Sequence, residues 1–298
     1  MAENSTNVRL LSLALRGLGA ISSWAAGLVA FQLFRLTGPR RHPRFTPAPD
    51  AVEHFHAGRH RLASYIWQGG GPTVVLVHGW NGTSGDLSAF VAPLRDTGRR
   101  VVAIDLPAHG RSSGRFSDLP EAAEAVEAVL RREPSVEAVI AHSFGVPATV
   151  IAAARGTPLA RAVLISGPIA VEPYLQRFMQ ILGLSAATRA GILTRLRAFL
   201  ARTGVPSVEL TTLAPRLTTK ALIVHDRSDR EVPFLSALTL NRAWAGSELL
   251  ATEGLGHMKL LADSSVVQRA VEFAVGWEKV EVEAPRPTPA RELRVVYG

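Results

Sequence analysis

Residues 137–145 read Glu-Ala-Val-Ile-Ala-His-Ser-Phe-Gly, and Val146-Pro147-Ala148-Thr149-Val150-Ile151-Ala152-Ala153-Ala154 follow. The first run is a short, nearly uniform apolar segment of the kind that forms a strand buried on both faces of a parallel sheet. The second has the composition of a buried helix, with Pro147 in the first turn, where its missing N–H costs nothing. Between them lies Ala141-His142-Ser143-Phe144-Gly145. A turn sharp enough to pass from strand to helix here needs small residues two positions to each side of Ser143, and Ala141 and Gly145 supply them. Such a turn lifts Oγ clear of the sheet and points it at a helix N-terminus, where partial positive charge favours a developing anion. Taken alone, the five residues fit an ordinary buried serine in a strand-to-helix turn equally well.

Working outward, similar runs recur at 73–78 (TVVLVH), 100–105 (RVVAID), 162–166 (AVLIS) and 220–225 (KALIVH), with helical patterns near 86–97, 119–132 and 144–155. Residues 52–56 and 61–67 read as a hairpin that opens the sheet. Alternation of this kind predicts a doubly wound α/β domain with helices on both faces of a mostly parallel sheet. It breaks between 169 and 218, where Ile192, Leu193, Leu196, Phe199 and Leu200 follow helical spacing among Arg189, Arg195, Arg197 and Arg202. This stretch is expected to be a helical lid over the carboxyl ends of the strands. The expected organisation is an N-terminal helix and linker over 1–50, a core over 51–168 and 219–277, the lid over 169–218, and a tail over 278–298 rich in proline and charge.

The chain has 298 residues, 33 Lys plus Arg against 25 Asp plus Glu, and no cysteine. Disulfides, thiolate nucleophiles and cysteine-held zinc are therefore excluded. The formal charge of +8 comes without a basic run interleaved with aromatics, which argues against a nucleic-acid partner. Much of the excess lies in residues 1–50, where Arg9, Arg16, Arg35, Arg40, Arg41 and Arg44 face only Glu3 and Asp50. Gly17 to Phe34 carries no charge, which is at the lower edge of the roughly 17–25 residues that span a bilayer. Gly19, Ser23 and Gly27 form a small-residue stripe suited to close helix packing; Leu18, Ile21, Ala25 and Leu28 form a larger apolar one. Residues 10–36 thus fit either a helix docked on its own domain or a membrane contact. In both cases the segment is expected to stand apart from the chemistry. Pro43 to Pro49 reads as a linker. His54, His56 and His60 read as polar positions on an edge hairpin, with no metal site.

Four more motifs bear on Ser143. His78-Gly79-Trp80 closes the run TVVLVH. Asp105-Leu106-Pro107-Ala108-His109-Gly110-Arg111-Ser112 follows RVVAID. Asp226-Arg227-Ser228-Asp229-Arg230-Glu231-Val232-Pro233 follows KALIVH, and Gly254-Leu255-Gly256-His257-Met258 comes after a short apolar run. Together with the turn at Ser143, over roughly 72–167 and 219–277, the chain resembles the α/β-hydrolase family. That family carries HG-x and D-x-P-x-H-G-x-S in this order, and G-x-S-x-G at the nucleophile turn. The first glycine of the turn is Ala141 here, and the glycine before His109 is Ala108; neither change removes a chemical group.

The resemblance implies a catalytic triad of Ser143 as nucleophile, His257 as base and Asp229 as the acid. The family sets its acid three residues before a Val-Pro pair, here Val232-Pro233, with Asp226 the nearby competitor. The backbone N–H groups of Trp80 and Phe144 are the implied oxyanion hole. His142 and His225 are expected to pack or hydrogen-bond beside the site. An apolar lid ceiling, with Leu196 and Phe199 as its substrate-binding residues, points to a small-molecule ester or thioester with an apolar acyl or aromatic group. No metal or organic cofactor is called for. The same triad also serves C–C bond hydrolases, acyltransferases and perhydrolases, and the fold alone serves non-catalytic, membrane-associated binding modules. The expected location is the cytoplasm, with the inner membrane as the surface that residues 10–36 would touch.

Overall fold

A computed structural model describes residues 2–204 and 208–277; the tail expected at 278–298 lies outside them. Eight strands form one sheet: β1 (Ala51–Ala57), β2 (His60–Trp67), β3 (Thr73–Val77), β4 (Arg100–Ile104), β5 (Val136–His142), β6 (Arg161–Ile165), β7 (Lys220–Asp226) and β8 (Ser247–Thr252). Their order is β1-β2-β4-β3-β5-β6-β7-β8. β1 and β2 form an antiparallel hairpin, β2 pairs antiparallel with β4, and all later pairings are parallel. The α/β expectation of a doubly wound, mostly parallel sheet holds.

The helices are α1 (Ala2–Ile21), α2 (Ser23–Arg35), α3 (Val91–Asp96), α4 (Leu119–Arg132), α5 (Gly145–Ala154), α6 (Glu172–Ile181), α7 (Ala186–Leu200), the one-turn α8 (Leu210–Leu213), α9 (Leu235–Ala243), the one-turn α10 (Gly256–Lys259) and α11 (Ser264–Ala274). Side chains of a strand alternate between faces, and here both faces are covered. Val75, Val77, Val102 and Ile104 pack with α4 and α5 on one side. Val74, Leu76, Val101 and Ala103 pack with α3 and α11 on the other. A strand buried on both sides has no polar face, hence the unbroken apolar runs in the sequence.

A third apolar cluster joins α6 and α7 to the N-terminal helices: Leu15, Ala30 and Phe31 pack with Leu175, Met179, Ile192 and Leu196. The stretch read as one apolar segment is two helices. The chain breaks at Ser22, which leaves the helical conformation and caps α2 by accepting a hydrogen bond from the Ala25 N–H on its Oγ at 3.2 Å. The small-residue stripe faces α7: a Cβ on Gly27 would stand 3.5 Å from Ile192 and 3.6 Å from the Thr188 carbonyl. Among the described residues no helix is long and apolar enough to cross a membrane. Through Leu15, Ala30 and Phe31 the N-terminal helices pack on the domain, and of the larger stripe Ile21 and Leu28 are exposed while Leu18 and Ala25 are half-buried.

The linker is also docked. Phe45 packs against Tyr65 and Trp67 with ring centroids 4.7 and 5.0 Å apart, and the Trp67 indole donates to the Pro47 carbonyl. His54 and His56 are exposed on the edge strand as expected. His60 is not: it is buried, with Nε2 3.1 Å from Glu121, because the hairpin turns it inward onto α4.

The fit of α2 on α7 depends on the absence of a side chain at Gly27. Gly27→Leu should displace α2 and destabilise the protein by about 1–3 kcal/mol, the usual cost of overpacking. Urea unfolding measures the loss, and limited proteolysis should show faster cleavage in the 36–50 strap.

Candidate active site

The turn at Ser143 is strained and tightly held. Ser143 has φ of +50°, a left-handed conformation that costs an L-residue about 1–2 kcal/mol. Its N–H donates to the Ile165 carbonyl at 2.8 Å, tying the turn to β6. Gly145 has no room for a side chain, since a Cβ would lie 2.7 and 2.8 Å from the carbonyl oxygens of Val77 and His78. At Ala141 the extra methyl sits fully buried in the core.

Two loops from the carboxyl end of the sheet reach this turn. His257, at the start of α10, accepts from Ser143 Oγ–H on Nε2 at 3.1 Å. Its Nδ1–H donates to Asp229 Oδ2 at 2.8 Å. Asp229 follows β7 and also accepts the N–H groups of Glu231 and Val232 on Oδ1. Burial by itself would raise the Asp229 carboxyl; hydrogen bonds from His225, His257 and those two N–H groups outweigh it and hold the group well below the usual carboxylate range. It is therefore ionised beside the imidazole at all ordinary pH. Asp226 is turned away: it accepts from Thr252 Oγ1, the Ser228 N–H and the Leu255 N–H, and so fastens the Asp229 loop to the His257 loop.

Four further histidines surround these groups as cross-links. His78 donates from Nδ1 to the Gly79 carbonyl and accepts the Leu106 N–H on Nε2. His109 donates to the Pro107 carbonyl and accepts the Asn81 N–H. His142 donates to the His257 carbonyl at 3.1 Å, with the two rings 4.8 Å apart. His225 donates to the Val232 carbonyl and stands 3.4 Å from Asp229 Oδ2. Burial, then the nearby His78, lowers His109 to about 3. Burial, then His257, does the same for His142.

Asp105 is the anchor of the loop after β4. It accepts from Ser84 N–H and Oγ–H, from Tyr65 OH and from the Arg111 N–H. A Cβ on Gly110 would overlap its carboxylate. Ala108 has φ of +66°, so the alanine here keeps the left-handed backbone that a glycine would adopt without cost.

A cavity of about 620 Å³ lies over Ser143 and His257. Trp80, Phe144, Leu196 and Phe199 all line it, with the Trp80 and Phe144 rings 5.2 Å apart. Gly79 lets the Trp80 loop close on the turn: a Cβ there would lie 2.8 Å from Ser143 Cβ. Tyr174, Phe178 and Met258 also line it; neither Tyr174 nor Phe178 belongs to a motif. Residues 1–36, expected to take no part in the chemistry, nonetheless reach the cavity. Phe31, Leu33, Phe34, Arg35 and Leu36 line it, because α2 packs between α6, α7 and the loop before α4. Phe31 meets Phe199 edge-on at 5.6 Å and Phe34 meets Phe178 at 5.5 Å. No sequence motif marks Phe31 or Phe34, since their role depends on the partner face that α2 meets.

The sequence matches the model of the Alpha/beta hydrolase family over residues 74–274. The dihydrolipoyllysine-residue acetyltransferase component of the acetoin cleaving system of Cupriavidus necator is 37% identical over 111 residues, which take in 34% of this chain and 29% of that protein. The chain thus spans less than a third of the length of this curated relative. Among solved structures, an esterase from Pyrococcus furiosus superposes with a TM-score of 0.64 at 17% identity, covering 81% of this chain and 99% of the esterase. A thioesterase domain from the curacin biosynthetic pathway superposes with a TM-score of 0.55 at 15% identity, covering 76% of this chain and 99% of the domain. At these identities the superpositions report a shared fold.

His109 and His142 give stability a pH dependence. Their folded values near 3 lie below the unfolded value of 6.5, so the unfolded chain takes up protons first as pH falls. Stability should be full above about pH 6.5 and decline toward pH 3, with a slope of up to about 1.4 kcal/mol per pH unit for each histidine. Urea unfolding between pH 7.5 and 4.5 measures it, and His109→Gln should flatten the slope.

Proposed function

We propose that this chain, which belongs to the alpha/beta hydrolase family, is a serine hydrolase that cleaves carboxylic esters or thioesters through an acyl-enzyme on Ser143. The observation that carries this reading is the relay from Ser143 Oγ to His257 Nε2 at 3.1 Å and from His257 Nδ1 to Asp229 at 2.8 Å. Ser143 Oγ attacks the acyl carbonyl while His257 takes its proton. Asp229 keeps the imidazole in the Nδ1–H tautomer and stabilises the imidazolium. The tetrahedral oxyanion is held by the N–H groups of Trp80 and Phe144; the close approach of Gly79 to Ser143 supports the first donor, and the position of Phe144 at the start of α5 the second. His257 returns the proton to the departing alcohol or thiol. Water, deprotonated by His257, then attacks the acyl-enzyme and frees Ser143.

Residues 169–218 serve as the lid, and Leu196 and Phe199 as its contacts with an apolar acyl or aromatic group. A contact between the N-terminal helices and a lipid surface is part of the same reading. Leu10, Leu13, Ile21 and Trp24 are 61, 62, 86 and 66% exposed, and Leu10, Leu13 and Ile21 fall on one side of α1 with the exposed Arg9 and Arg16 beside them. An in-plane helix with an apolar stripe and flanking arginines binds anionic interfaces without spanning them.

A panel of p-nitrophenyl esters and acyl thioesters tests the reaction. Ser143→Ala should lose turnover by about six orders of magnitude. Asp229→Asn should lose about four orders, from the tautomer error, whereas Asp226→Asn should lose far less. Wild-type-like turnover in the Ser143 variant would reject the mechanism. For the membrane contact, Ile21→Ser with Trp24→Ser should cut co-sedimentation with phosphatidylglycerol vesicles while ester turnover in solution persists.

A further inference from the structure

Two polar groups in the apolar half of the cavity are buried without a partner. Arg35 ends α2, and its side chain is 12% exposed. One terminal nitrogen pairs with Asp118 at 2.5 Å, the other donates to Gln32 Oε1 at 3.1 Å, and the guanidinium lies 4.6 Å from the centre of the Phe199 ring. Its Nε–H is buried with no acceptor. Ser117 is fully buried, and its Oγ has no partner either. Both residues line the cavity, and they are neighbours, because the Ser117 N–H donates to the Arg35 carbonyl at 3.0 Å. A buried donor left unpaired costs about 1–3 kcal/mol, and native structures rarely keep one without a use.

The charge on the wall narrows the ligand. Asp118 is fixed as the cap of α4, accepting the Glu121 N–H at 2.9 Å, so its carboxylate stays against Arg35 and cancels its charge. A ligand carboxylate would meet Asp118 as a like charge. A neutral oxygen would not. It could accept from Arg35 Nε–H, and a hydroxyl could also donate to Ser117 Oγ. On the reading that Ser143 is an acylating nucleophile, we infer that Arg35 and Ser117 form a polar subsite for a neutral oxygen on the acyl group. The preferred substrates are then hydroxy- or oxo-acyl esters, apolar over the rest of their length.

The test uses the full chain and p-nitrophenyl esters of one chain length: octanoate, the hydroxyoctanoates with the hydroxyl moved along the chain, and the suberate half-ester. One hydroxyl position should raise kcat/KM about tenfold over octanoate, mainly through KM, the yield of one good hydrogen bond. The half-ester, with its free carboxylate, should fall below octanoate. Ser117→Ala and, separately, Arg35→Lys should bring the hydroxyl-to-plain ratio close to one, in protein whose circular dichroism matches wild type. Calorimetry on Ser143→Ala with octanamide and the matching hydroxyoctanamide gives the same ratio without turnover. Equal kcat/KM and equal affinity for plain and hydroxylated compounds would overturn the subsite and leave the hydrolase reading standing. Absence of ester turnover, with no labelling of Ser143 by a phosphonate, would reject the hydrolase reading, and the amide affinities would still decide the subsite.

Discussion

At the base of the site, backbone meets backbone with no space for a side chain. Gly145 lies against the carbonyls of Val77 and His78, and Gly79 lies against Ser143 from the other side. These contacts fix the left-handed turn at Ser143, whose strain, of order 1–3 kcal/mol, persists only because its surroundings over-determine it. From that one constraint follow the direction of Oγ, the place where His257 can meet it, and the line along which the Trp80 loop can approach. The buried methyl of Ala141 shows which side of the turn is less tight: it faces the α4–α5 core, where a methyl adds packing.

The histidines show how one residue type is divided between two jobs. His78, His109 and His142 each spend their ring nitrogens on backbone groups or neighbours that hold a loop, and burial keeps them neutral. His257 alone among them pairs one nitrogen with a carboxylate and the other with a hydroxyl. The cross-linking imidazoles cost stability in acid, but they fasten three loops from different strands at the mouth of one cavity. Asp105 and Asp226 do the same with carboxylates, each saturated by neighbouring N–H and O–H groups.

The N-terminal helices tie the outer surface to the cavity. α2 offers Gly27 and Ala30 to α6 and α7, and Phe31, Phe34 and Arg35 to the space above Ser143. The wall of that cavity is thus built partly by a segment distant in the chain from every motif.

The sheet, the turn at Ser143 and the order of the motif loops were legible in the sequence because each rests on local chemistry. A buried strand must be apolar, a sharp turn needs small residues beside Ser143, and carboxylates such as Asp229 sit in tight loops that bond their own backbone. The choice between Asp226 and Asp229 came from the family's spacing, and the hydrogen bonds explain it. The N-terminus was legible only as apolar and small-residued, a pattern that fits a docked helix and a membrane contact alike. The tertiary structure alone identified the docked partner, because Gly27 and Phe31 find theirs on α7, far along the chain, and no local rule fixes which apolar surface lies within reach. Long-range packing alone brought Arg35 and Ser117 to one cavity wall; neither residue carries a local signal, since their meaning lies in the polar groups they leave unpaired once α2 has docked.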